Sequence, residues 1–95
     1  MTSRCQVWRI PREADLRHRQ WEGGHVFYHG SAGDTHQLSA AAAVVLLELM
    51  TGPADEARLA ARLSEFDGGS PGAAEAALAD ILRELNRLEC AEPAV

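Results

Sequence analysis

The chain has 95 residues, enough for one domain and for a modest core that removes roughly two-thirds of the unfolded chain's surface from water. Hydrophobic residues make up 46% and aromatics only 5%, so the core must be built from Leu, Val and Ile with a few aromatic anchors. The net charge of −5 argues against a nucleic-acid partner, which needs a basic face. No stretch approaches the roughly 18 apolar residues of a membrane span.

Met1 to Ile10 lacks the apolar run of a secretory signal, so the expectation is a cytoplasmic protein. Cys5 and Cys90 form no CxxC pair and read as free thiols in a reducing compartment, with a terminus-to-terminus disulfide as the alternative.

The first third carries strand signals. Cys5 to Ile10 holds Val7, Trp8 and Ile10 and stops at Pro11, which breaks a ladder. Leu16 to Glu22 alternates loosely. Gly23-Gly24 suits a tight hairpin turn with positive φ at both residues, and His25 to His29 is the return strand. Val26 and Tyr28 share one face of it; His25, Phe27 and His29 share the other. Gly30 to Asp34 is a second turn, and Thr35 to Leu38 a short third strand. The basic cluster Arg17, His18 and Arg19 reads as a solvated strand face.

The remainder carries helix signals. Ser39 is an N-cap for a helix over 40–50 that Gly52 and Pro53 end. Only Glu48 is charged in it, so it is expected to be the central, most buried helix. Asp55 caps a second helix ending near Phe66, with Leu59, Ala60, Leu63 and Phe66 on its apolar face. Ser70-Pro71 suits the N-cap and first position of a third helix, running to about Leu88. Leu78, Ile81, Leu82, Leu85 and Leu88 form its stripe, and Ala91 to Val95 is expected to be a frayed tail. Strands followed by helices give an α+β fold of the winged helix-turn-helix kind, a three-stranded antiparallel sheet followed by three helices. The expectation is a single domain over 1–95, with an extra N-terminal strand segment near 5–10 and a core near 16–89.

The chemistry-bearing residues assemble no active site. His18, His25, His29 and His36 invite a metal reading, but His25 and His29 lie about 13 Å apart along a straight strand, too far for one ion, although His18 or His36 could meet one of them across strands. They are read as exposed strand histidines, and no metal or cofactor is expected. The serines and cysteines sit in no nucleophile elbow, and Gly30 to Gly33 lacks the Lys and helix of a phosphate loop. The protein is therefore not expected to be an enzyme. The remaining site type is a surface for another chain. Thr35 to Leu38 carries no Pro and no Lys to protect a sheet edge, so an extended peptide can add to it as a further strand. Alternatively, the N-terminal strand covers that edge.

The stretch Val26-Phe27-Tyr28-His29-Gly30-Ser31, the run Gly33-Asp34-Thr35-His36-Gln37-Leu38-Ser39, the alanine-rich helix ending in Leu47 to Pro53, and Leu85 and Leu88 together resemble the PqqD-like family. These are small winged-helix domains known as RiPP recognition elements, where a RiPP is a ribosomally made, post-translationally modified peptide. The "SAGDTHQLS" stretch is most similar to the subgroup of the HPr-rel-A system, found beside an HPr kinase-like protein. The resemblance covers about residues 16–89. It implies a peptide chaperone that captures the leader of a precursor peptide by strand addition and presents it to a modifying enzyme. Carried over here, the peptide site is Asp34, Thr35, His36, Gln37 and Leu38 on the third strand, with Leu78, Ile81, Leu82 and Leu85 of the third helix, though those helix residues are also the best core candidates. The extra N-terminal segment departs from the family pattern.

Two other classes remain in view. One is a structural or regulatory subunit, as a homodimer or bound to the kinase-like protein. The other is a winged-helix DNA binder, disfavoured because Arg58, Arg62, Arg83 and Arg87 are interleaved with acids.

Overall fold

A computed structural model describes residues 6–21, 24–31, 33–68 and 71–94. Strand β1 spans Val7–Arg9. A 3-10 turn over Arg12–Ala14 leads into β2 (Leu16–Trp21), β3 (Gly24–His29) and β4 (Asp34–Leu38). Helix α1 spans Ala40–Met50, β5 Ala54–Asp55, α2 Glu56–Asp67, α3 Pro71–Arg87 and β6 Glu92–Pro93. Strands β2, β3 and β4 form the antiparallel meander, and β1 lies between β5 and β6 in a second small sheet.

Local chemistry sets the helix ends. The Ser39 hydroxyl accepts from the Ala42 amide at 3.2 Å, and Asp55 accepts from the Arg58 amide at 2.8 Å. Each meets an amide that the first turn leaves unpaired. Helix α3 ends in a Schellman motif: the Cys90 amide donates to Leu85 (2.8 Å) and the Glu89 amide to Asn86 (3.0 Å). Glu89 takes the left-handed position that closes it, with φ of 62°. That turn carries Cys90 and Ala91 into the core. The anticipated strand residues Cys5 and Glu22, the turn residue Gly23, the cap Ser70 and the terminal Val95 lie outside the described residues.

The core joins Phe27 of the sheet to Val45, Leu46 and Leu49 of α1, Leu59 and Leu63 of α2, and Leu78, Leu82 and Leu85 of α3. Helix α1 is the central helix, as its composition requires. Its one charge, Glu48, leaves the core to meet Arg58 at 2.9 Å and Arg62 at 3.1 Å.

Three expectations are corrected and one open alternative is decided. The segment Ala91 to Ala94 is no frayed tail. Glu92 and Pro93 pair with Arg9 and Trp8, and the Ala94 amide donates to Val7 at 2.7 Å. The strand needs these partners because a three-residue strand has no stability alone. Second, the N-terminal strand does not extend the meander; its other neighbour is β5, through Val7–Asp55 and Trp8–Ala54. Third, Phe66 is 53% exposed. The α2 stripe reaches it, but among the described side chains of α3 the first buried one is the small Ala74, followed by Leu78 a turn later. Fourth, His29 is buried, not an exposed strand histidine. Its Nε2–H donates to the Glu89 carbonyl at 3.0 Å, tying β3 to the end of α3.

Candidate functional site

The meander has one face toward the helices and one toward water. Direct pairing places Leu16, His18, Gln20, His25, Phe27, His29, Asp34, His36 and Leu38 on the inner face. On the outer face, Arg17 lies across from Tyr28 and Thr35, and Arg19 across from Val26 and Gln37. Tyr28 is 42% exposed there.

Among the described residues no strand lies beyond β4. Which of its main-chain groups face outward follows from the ladder. The Gly30 amide donates to the Asp15 carbonyl at 3.2 Å, one step past the Leu16–His29 pair. Antiparallel pairs alternate between hydrogen-bonded and non-bonded. Hence Tyr28 and Val26 bond β2, while His29, Phe27 and His25 turn their main-chain groups to β4. Their partners Asp34, His36 and Leu38 bond back, and Thr35 and Gln37 direct N–H and C=O to the open edge. A close approach holds the start of this ladder: a Cβ on Gly30 would sit 2.7 Å from the Asp15 carboxylate, so a larger residue there must push the Asp15 side chain aside.

The structure therefore separates the anticipated site residues. Asp34, Thr35 and Gln37 are exposed, and His36 and Leu38 half-buried on the inner face. Leu78, Leu82 and Leu85 are core residues, whereas Ile81 is half-buried against the core.

Two of the four histidines, His18 and His25, meet as a pair. His18 Nε2 and His25 Nδ1 lie 2.9 Å apart. With centroids 5.1 Å apart and rings only 16° from parallel, the imidazoles meet edge to edge in nearly one plane. Such a bond needs one donor and one acceptor, so one ring must be neutral at the shared contact. His18 also stacks on Phe27 at 4.6 Å. Burial, and secondarily the neighbouring His25, hold the His18 pKa below its usual value. Among the described residues no group of three or more His, Cys, Asp or Glu converges as a metal site.

The arginines of α2 and α3 are engaged by carboxylates. Besides the Glu48 pairs, Arg62 meets Glu65 at 3.3 Å, Arg83 meets Asp80 at 3.0 Å and Arg87 meets Glu84. This is the pattern of a solvated face, not of a phosphate-binding helix. No helix among the described residues is long and apolar enough to cross a membrane.

No family model matches the chain, and no curated protein matches it. Two solved structures do. One is a lasso peptide synthetase B1 complexed with the leader peptide: TM-score 0.70, 26% identity, 90% of this chain and 98% of that chain covered. The other is the solution NMR structure of the PqqD truncation of Methylobacterium extorquens PqqCD, a functional, stand-alone RiPP recognition element. It matches with TM-score 0.70 and 26% identity over 97% of this chain and 95% of that chain. The fold is thus α+β, a three-stranded meander followed by three helices. The chain is PqqD-like, with the architecture of a RiPP recognition element.

Proposed function

We propose that this domain captures the leader segment of a precursor peptide as an added strand on β4 and presents it to a modifying enzyme, itself performing no catalysis. The observation that carries the reading is the open edge of β4, where Thr35 and Gln37 direct main-chain groups outward. An extended peptide gains its affinity from such groups and its selectivity from side-chain pockets. The leader peptide bound by the lasso synthetase B1 supports the same use here. The inner side of the added strand would meet His36 and Leu38, with Ile81 the anticipated α3 residue that is only half-buried. The single-domain reading of 1–95 and the cytoplasmic location belong to this proposal. So do the HPr-rel-A setting and an HPr kinase-like partner, which rest on the "SAGDTHQLS" resemblance.

The test is an amide NMR titration of the labelled protein with synthetic peptides encoded beside its gene. Shifts confined to Thr35–Leu38 and to the Ile81 flank of α3 are expected for the right peptide. Silence there with every peptide, alongside broad changes on adding the kinase-like neighbour, would make the domain a structural subunit instead.

A further inference from the structure

An adaptor that holds a peptide on β4 needs a second surface for the enzyme it serves, and the structure carries a groove suited to that task. The groove encloses about 560 Å³ between α2 and α3, with Trp8 of β1 in its wall. Leu78, Ala79 and Leu82 supply apolar lining, and Glu56 and Glu75 bring carboxylates. At 3.6 residues per turn, Glu75, Ala79, Arg83 and Asn86 lie on one side of the Leu78–Leu82–Leu85 stripe, and Ile81 and Leu88 on the other. The groove and the Ile81 flank are therefore separate surfaces of one helix.

Its chemistry selects a cation on an apolar stem. The Trp8 indole N–H donates to the Glu56 carboxylate at 2.9 Å, fixing the ring in the wall. Glu75 is exposed and makes no ion pair among the described residues. Arg83, the one cation of the lining among the described residues, is already matched by Asp80 at 3.0 Å. That leaves an indole and two carboxylates around an apolar floor. A guanidinium satisfies all three elements: it stacks on an indole, its planar fork pairs with carboxylates, and its methylene stem covers apolar surface.

We infer that this groove receives an arginine side chain presented by the modifying enzyme, so that peptide and enzyme occupy opposite flanks of α3 at once. The inference rests on the adaptor reading above, but the two are tested by different resonances. The probe is the tripeptide acetyl-Leu-Arg-Leu-amide, with the citrulline analogue as its neutral isostere. The Trp8 indole N–H resonance, assigned with W21F, reports on the groove. The arginine peptide should move it saturably, and the citrulline peptide should not. Glu75→Gln, an exposed change that leaves the core intact, should weaken the response about threefold, the size of one exposed charge pair. An unsaturable response, or equal shifts with citrulline, overturns the site. If a precursor peptide that shifts Thr35 and Gln37 also moves the Trp8 indole, the groove belongs to the peptide and its assignment to the enzyme falls. Silence at Thr35 and Gln37 with every peptide, beside a saturable Trp8 response to arginine, retires strand capture and leaves the arginine site standing.

Discussion

Proline substitution along β4 separates edge from ladder. In Gln37→Pro the lost N–H is one that faces the open edge, a position where proline is tolerated in a sheet. The preceding residue, His36, is already extended, as proline demands of its neighbour. The fold should lose little, whereas a bound peptide would leave one carbonyl without its donor. An unmet buried acceptor costs about 1–3 kcal/mol, which corresponds to a Kd raised about fivefold to more than a hundredfold. In His36→Pro the lost N–H points to Phe27 across the ladder, so the cost falls on stability instead. Urea unfolding followed by circular dichroism and anisotropy of a labelled peptide read the two effects. Unchanged affinity in Gln37→Pro would refute strand addition at this edge. A destabilised Gln37→Pro beside a stable His36→Pro would refute the register.

The other predictions address stability and reactivity. Deleting residues 92–95 should destabilise the protein by about 1–3 kcal/mol, through main-chain groups of β1 left unpaired; a urea midpoint unchanged from the full chain would return the segment to a frayed tail. Burial pushes the Cys90 thiol up to about 11, with Glu89 adding to the shift. At pH 8 it should hold about 200-fold less thiolate than an unperturbed cysteine. In a C5S background a disulfide reagent should therefore react slowly until urea is added, and native and denatured rates within tenfold would contradict this. The His18 pKa lies below its unfolded value, so the unfolded chain binds the proton more readily. Stability should be constant above about pH 6.5 and decline as pH falls from there through the folded value. His18→Gln should flatten that part of the curve, and an unaltered slope would assign it elsewhere.

The helices were legible because their signals are local. Ser39 and the Gly52-Pro53 pair bracket α1 within the sequence, and Asp55 brackets α2 in the same way. Strands β5 and β6 have two residues each, too short for any alternation to register. The one clue was indirect: a tryptophan-bearing strand before the meander, ending at Pro11, had to find partners somewhere. The end of α3 near Leu88 was legible, but the turn that follows it was hidden for a related reason. Its left-handed position is filled by Glu89 rather than glycine, so the turn that buries Cys90 and ties in His29 gave no sequence signal.

The candidate edge was legible only in part, and the part that was missing is instructive. The absence of Pro and Lys in Thr35 to Leu38 marks an unprotected strand, and alternation separates His36 and Leu38 from Thr35 and Gln37. Neither tells which pair offers its main chain to a ligand. That is decided two strands away, where the Gly30 amide meets Asp15 and fixes the parity of β3. Reversing that parity would turn His36 outward and Gln37 inward while leaving the sequence of β4 untouched, and would also turn Phe27 out of the core. Side-chain identity therefore nominates the strand, but the peptide-facing atoms are set by a contact on the opposite edge of the sheet. A mutation that disturbs Gly30 should accordingly impair peptide capture without touching any residue the peptide meets.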